Sequence, residues 1–383
     1  MIPTIQYAHR DIWTQTPAAR GPTAMTVDQV VRGQEVQILV FATNCTVGAD
    51  GAAEVTYDIS FVRPDGKTGG SKTGLRLIPR GPVKNSRYVR KAVDMVGFVA
   101  NGEDPLGEWK VVVAATDRIG SLTVQREQTF KVVDYGVLDA PVPGHADPGR
   151  WLMNYHNRPA PHQLLAMLQQ FAENPPVGTP PPVDEENGAL LGFFEQVLKD
   201  NPWLLPHVIA RLAKTQDRER ALLSVLLAYA KRDDPAFADS LPDALRDSIK
   251  THRLERWPAP TAEPLRGAQL DVLWGRFFAS GRYEPIRALV GVLAYHPFKE
   301  ALSEYKLRSN KPAPPPVEVL KSAVFGAAVW SLRSNIQQDQ LVRDYCEAIL
   351  LRRELPEAEH AWLAGIYRMA MEKTSSPQGQ AGP

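Results

Sequence analysis

The sequence predicts a multidomain β + α chain, an antiparallel β-sandwich followed by an α-helical hairpin stack or bundle. Three observations predict it. Side chains alternate with a period of two in short runs between residues 26 and 134. Beyond Asp139 apolar residues recur at helical spacing instead. Proline makes up 33 of 383 residues, and it gathers where one periodic segment gives way to the next, as suits a residue that continues neither a helix nor a sheet ladder. The expected organisation is an N-terminal extension (1–25), a sandwich (26–138), a linker (139–148), an α-helical domain (149–373) and a polar tail of disordered composition (374–383).

The strands follow in order. Short runs of strand character lie at Val36–Phe41, Leu75–Ile78, Val93–Val99, Leu122–Val124 and Phe130–Val133. Two runs alternate cleanly: Val55, Tyr57, Ile59 and Phe61 against Thr56, Asp58 and Ser60, and Trp109, Val111, Val113 and Ala115 against Lys110, Val112, Ala114 and Thr116. Turn chemistry separates the runs at Pro64-Asp65-Gly66, Arg80-Gly81-Pro82, Asn101-Gly102 and Ile119-Gly120-Ser121. About seven such strands with no helical period between them predict an antiparallel sandwich. The phrases Phe61-Val-Arg-Pro-Asp-Gly66 and Gly107-Glu-Trp-Lys-Val111 resemble the strand-and-turn phrases of bacterial immunoglobulin-like domains. That resemblance implies an Ig-like sandwich used for adhesion, spacing or partner docking.

The helices begin after Asp139-Ala-Pro-Val-Pro-Gly-His-Ala-Asp-Pro148, which has linker composition. Leu164, Leu168 and Phe171 share a face, as do Leu191, Phe194 and Leu198. Leu222, Leu223, Leu226, Leu227 and Ala230 form a broad stripe, and Leu270, Trp274, Phe277 and Phe278 a bulky one. Ile286, Leu289, Val290 and Leu293 follow the i, i+3, i+4, i+7 rule, as do Leu363, Ile366, Tyr367 and Ala370, while Leu341, Tyr345, Ala348 and Ile349 are in register within Gln340–Leu351. Asp234-Pro235 and His296-Pro297 place proline where a first helical turn tolerates it. Asn174–Val183, Trp257–Pro264 and Lys311–Val317 are the proline-rich joints. The phrases Trp151-Leu-Met-Asn-Tyr155 with Pro159-Ala-Pro161, Gly192-Phe-Phe194 with Asn201-Pro202, Leu273–Gly281, and Trp330-Ser-Leu332 with Ser334-Asn335 resemble a poorly characterised family of bacterial α-helical, helical-hairpin or TPR-like proteins. The resemblance implies a bundle or solenoid and carries over no catalytic residue.

Composition narrows the function classes. Hydrophobic residues at 44% and charged residues at 23% are globular values and exclude a wholly disordered chain or a coiled coil. No apolar run reaches the ~18–20 residues of a membrane helix. A net charge of +1 gives no general attraction for nucleic acid. Cys45 and Cys346 fall in different predicted domains and read as separate buried thiols. The opening Met1-Ile-Pro-Thr-Ile-Gln-Tyr has neither a basic nor an apolar leader region. Read literally the chain is cytoplasmic; a leader already removed would make it periplasmic or envelope-associated, which the sandwich type favours.

Catalytic and metal motifs fare poorly. In Gly66-Lys-Thr-Gly-Gly-Ser-Lys-Thr73 a phosphate loop needs glycine before the Lys-Thr pair, but Ser71 stands there and strand-like Leu75–Ile78 follows, so a hairpin is expected. No His-Glu-x-x-His, zinc spacing or Gly-x-Ser-x-Gly elbow occurs. Ser280 reads as a helix end capped by Gly281, Cys346 as core, and Glu357 and Glu359 as dipole-matched residues of a helix start. The rings at Phe193, Phe194, Trp274, Phe277, Phe278 and Trp330 read as helix-packing core. No catalytic residue, cofactor or metal ligand is assigned. The sharpest charge asymmetry runs from Lys67 through Lys72, Arg76, Arg80, Lys84, Arg87 and Arg90 to Lys91, with no acid between its ends. Lys72, Arg76, Arg80, Lys84, Arg87, Arg90 and Lys91 are the candidate binding residues, for an acidic partner protein rather than nucleic acid, since Tyr88 is the one aromatic among them. The expected function is a non-enzymatic protein-binding or scaffolding protein of a bacterial envelope. The alternatives are an enzyme with a site assembled from distant residues of the helical domain, and a structural subunit of an envelope or secretion assembly.

Overall fold

The computed structural model describes residues 1–17, 24–140, 147–173, 188–231, 233–250, 267–307 and 314–375. Much of the expected linker (141–146), most of the polar tail (376–383), the joints 174–183 and 257–264 and part of the joint 311–317 lie outside the described residues. The chain divides into two compact units. One comprises Met1–Gln6, Ala24–Pro141 and His162–Ala166, the other Tyr7–Thr23, Val142–Pro161 and Met167–Pro383.

The first unit is built from strands β1 (Ile2–Thr4), β2 (Gln29–Val31), β3 (Glu35–Leu39), β4 (Phe41–Ala42), β5 (Ala52–Val62), β6 (Thr68–Pro82), β7 (Arg90–Lys91), β8 (Val96–Val99), β9 (Gly107–Asp117) and β10 (Leu122–Val133). They form a five-stranded sheet in the order β2-β10-β9-β5-β6, a three-stranded sheet β1-β3-β8 and a short β4-β7 ladder. β2 runs parallel to β10, pairing Gln29 with Lys131 and Val31 with Val133, whereas β10–β9, β9–β5 and β5–β6 are antiparallel. The large sheet is therefore mixed, and the expected antiparallel immunoglobulin-like sandwich is not what forms. Four register shifts between β5 and β6 bend that edge, since each extra residue on one strand curls its ladder. The alternation read at 55–61 becomes β5, with Val55, Tyr57, Ile59 and Phe61 buried. Trp109, Val111 and Val113 of β9 and Phe130 and Val132 of β10 join them. Phe98 knits the sheets together, its ring 5.0 Å from Phe61, 4.8 Å from Trp109 and 5.3 Å from Phe130, separations at which ring pairs add to simple area burial. The stretch from Gly66 is a hairpin: Gly66 takes φ +79 and donates to the Arg63 carbonyl, and Lys67 donates to the Asp65 carboxylate.

The second unit is helical. Its elements start with α1 (His9–Gln15) from the stretch expected to be a mere extension, then α2 (Pro148–Asn154), α3 (Leu164–Glu173, which begins in the first unit), α4 (Gly188–Asp200), α5 (Leu205–Lys214), α6 (Asp217–Ala230) and α7 (Pro235–Asp239). They continue with α8 (Asp243–Lys250), α9 (Gly267–Ser280), α10 (Tyr283–Gly291), α11 (His296–Leu307), α12 (Pro316–Gln338), α13 (Gln340–Arg352) and α14 (Glu357–Ser375). None of the described helices is long and apolar enough to cross a membrane. The apolar stripes face inward: Leu222, Leu223, Leu226 and Leu227 are buried in α6, and Leu270, Trp274, Phe277 and Phe278 in α9. α9 stops at Gly281, whose φ of +67 suits the left-handed end of a helix. α4 and α9 pack unusually closely, because Gly188, Gly192 and Gly275 present no side chain between them. Across this contact Arg276 grips Glu195 with two parallel bonds, Nε to Oε2 at 2.9 Å and Nη2 to Oε1 at 3.0 Å. Trp330, expected in the core, is 73% exposed.

Candidate functional site

The seven basic candidates do not form one free patch. Lys72, Arg76 and Arg80 lie on β6, an edge of the large sheet; Lys84 and Arg87 lie in the connection to β7; Arg90 and Lys91 are β7 itself. Acids from elsewhere in the chain meet two of them. Arg76 forks onto Asp94, Nε to Oδ2 at 3.0 Å and Nη2 to Oδ1 at 2.8 Å, and its backbone N–H reaches Oδ2 at 2.8 Å. Arg80 meets Asp50 at 3.0 Å and Glu54 at 3.9 Å. The bonds from the Arg76 side chain and amide hold the Asp94 carboxyl down at about 2. A depressed carboxylate contributes stability above its ordinary range, and that contribution is lost as pH falls toward the depressed value. Asp94 is expected to titrate at about 2 in carboxyl NMR and to rise part of the way toward the ordinary carboxylate range in Arg76→Gln, which removes the guanidinium and keeps the backbone amide bond. An unchanged Asp94 midpoint in that variant would disprove the pairing.

What remains is concentrated in the connection. Lys72, Lys84 and Arg87 are exposed and form no ion pair among the described residues. Beside the last two stand three exposed apolar side chains, Tyr88 at 61%, Val89 at 56% and Val93 at 56%. The backbone beneath them is pinned. The Asn85 carboxamide accepts from the Arg87 amide at 2.9 Å, the Asn44 amide donates to the Ser86 carbonyl at 2.7 Å, and the Thr43 hydroxyl donates to the Arg87 carbonyl at 2.8 Å. β7 then pairs with β4, Phe41 against Lys91 and Ala42 against Arg90. An anchored backbone that turns both bases and apolar groups to water is preorganised for contact, because little ordering entropy is left to lose on binding. Charge counting found the bases and noted Tyr88 only as a lone aromatic; it did not join Tyr88, Val89 and Val93 to them as exposed contact groups. It also missed the distant acids, which only the fold brings to Arg76 and Arg80.

No family model matches the chain, and no curated protein matches it. Among solved structures, a family 76 glycoside hydrolase from a bovine Bacteroides thetaiotaomicron strain aligns over 90% of this chain and 87% of its own, with 9% identity and a TM-score of 0.20. A likeness that low carries no argument about fold or activity.

Several titratable groups of the helical unit hold its helices together. Burial pushes the Cys346 thiol up to about 12, so a thiolate nucleophile is disfavoured there. His156, fully buried against Phe277, lies 3.0 Å through Nε2 from Asp339 Oδ2. The other Asp339 oxygen accepts the Leu341 and Val342 amides at 2.8 and 3.0 Å, capping α13. Asn201 donates to the Tyr7 hydroxyl at 2.6 Å, and burial raises that phenol well above its usual range. Arg282 holds Asp200 at 2.6 Å, and the Tyr345 hydroxyl donates to the Gly281 carbonyl at 2.8 Å. Among the described residues no three His, Cys, Asp or Glu side chains gather as a metal-ligand set.

Proposed function

We propose that this chain is a non-enzymatic protein-binding module that docks an acidic partner protein through the surface carried by residues 84–93. The observation that supports this reading is the juxtaposition of unpaired Lys84 and Arg87 with exposed Tyr88, Val89 and Val93 on a pinned backbone. Unpaired bases steer an acidic surface into place, while tyrosine, arginine and apolar groups supply the area that holds it. Arg76 and Arg80 serve this surface less, since their charge is already matched by Asp94 and Asp50. The test is crosslinking and affinity capture from native extract with the full chain and with Lys84→Glu/Arg87→Glu, a change that breaks no ion pair among the described residues. A specific partner is expected whose capture falls about tenfold or more in the variant and weakens steeply with salt. A partner retained equally by both chains and at all salt concentrations would overturn the reading.

A further inference from the structure

The helical unit carries a second exposed feature, on α12, that the 84–93 surface does not use. Phe325, Ala328, Leu332 and Ile336 bury one side of that helix. The other side carries Val319, Ala323, Gly326, Ala327 and Trp330, which the helical repeat gathers into one stripe. Trp330 is 73% exposed and Val319 40%. Ala323 and Ala327 are exposed too, and a Cβ on Gly326 would meet nothing within 4 Å, so the space above the stripe is open. An indole left in water on an apolar stripe marks a contact surface.

The stripe complements itself. Its one large ring follows three small residues, the sizes that ring and slot must have for the stripe to pack against its own copy. Two such helices, laid antiparallel with Gly326 of one beside Ala327 of the other, are related by a twofold axis. Each Trp330 then lies over the partner's Ala323 and Ala327, where small side chains let the helix axes approach to ~8 Å. The charges complement each other as well. Glu318 and Arg333 lie about four turns apart on the same flank of the stripe, and neither makes an ion pair among the described residues. The twofold axis reverses the helix direction and keeps matching flanks together. At ~1.5 Å per residue, Arg333 stands ~10 Å along the helix from the axis and the partner's Glu318 ~13 Å on the same side. The symmetry makes that pair twice. An unrelated helix would have to reproduce both the ring-and-slot order and the two opposite charges.

We propose that α12 is the contact of a reversible homodimer, in which two copies pack antiparallel through this stripe. A single helix face buries less than the ~800 Å² per partner of a standard stable interface, so association is expected at tens of micromolar.

The test is analytical ultracentrifugation of the full chain from about 5 to 200 µM, the range in which so small an interface would half-form. A monomer–dimer equilibrium is expected that stops at the dimer, since an isologous contact closes on itself. Trp330→Ser, at an exposed position, is expected to leave a monomer throughout. Arg333→Glu and Glu318→Arg are each expected to weaken the dimer about tenfold, and the two together to restore it, because only the exchanged pair is again complementary. The proposal is overturned by a monomer at every concentration, which would leave the stripe to a different chain. Association that runs past the dimer, a dimer indifferent to Trp330→Ser, or a double exchange no better than either single change would overturn it equally. None of these outcomes bears on the 84–93 surface, which is tested separately.

Discussion

Gly275→Ala is expected to destabilise the chain by about 2 kcal/mol or more, and Gly365→Ala to stabilise it by about 0.5–1 kcal/mol. Both replace a helical glycine with the best helix former, so propensity alone predicts a gain at each. Surroundings decide the sign. A Cβ on Gly275 would lie 2.0 Å from the Ala189 carbonyl oxygen and 2.7 Å from the Phe193 nitrogen. Those are backbone atoms of α4 and cannot swing aside, so α4 and α9 must separate. Separation would also stretch the Glu195–Arg276 fork and loosen Phe193 and Phe277, both no more than 1% exposed. A Cβ on Gly365 meets nothing within 4 Å. Chemical denaturation of the two variants measures the difference. Two shifts of the same sign would show that α4 and α9 do not touch along this seam. Gly192→Ala belongs with Gly275→Ala, since its Cβ would sit 2.2 Å from the Val272 carbonyl oxygen.

Side-chain period carried the division into a β-rich and a helical part, because burial on one side imposes period two on β5 and 3.6 on α10, where Ile286, Leu289 and Val290 are buried. Pairing was not legible. Gln29–Val31 is too short to show any period, and its parallel partner Lys131–Val133 is remote in sequence, so nothing local marked the sheet as mixed. β10 read as two strands with a gap at Gln125–Thr129, yet it is continuous from Leu122 to Val133. Its first half is exposed throughout, and a strand with no buried face has no reason to alternate. Trp330 misled for a related reason. Phe325, Ala328 and Leu332 take the inner side of α12, while Ala323, Gly326 and Ala327 make the opposite side apolar too. A helix apolar all round does not declare which side is in. The basic run was plain in sequence, but its division into neutralised Arg76 and Arg80 and unpaired Lys84 and Arg87 depends on Asp94 and Asp50, which lie in other turns of the chain.

Asp339→Ala is expected to cost about 2–5 kcal/mol, combining the loss of an N-cap with the exposure of an unmet need at a buried ring. The residue ends α12 and starts α13 in a single position. Removing its carboxylate frees the Leu341 and Val342 amides and leaves His156 without the oxygen 3.0 Å away, in a place water does not reach. Asp339→Asn keeps a cap acceptor and a polar neighbour for the ring, so it should cost about 1 kcal/mol or less at pH 7. The pH dependence separates the cap from the ring. Burial acts to raise the Asp339 carboxyl, but the His156 bond, the His156 charge and the two amides outweigh it and hold it below the ordinary carboxylate range. A lowered carboxylate contributes stability that is complete above that range and disappears as pH falls through its own titration. The gap between the native chain and Asp339→Asn should therefore narrow on acidification, whereas the cost of Asp339→Ala should persist in part, because Asn and protonated Asp both still cap. Urea denaturation at neutral and acid pH would show it. Equal costs for Ala and Asn at neutral pH would mean that neither the cap nor the His156 contact holds this joint.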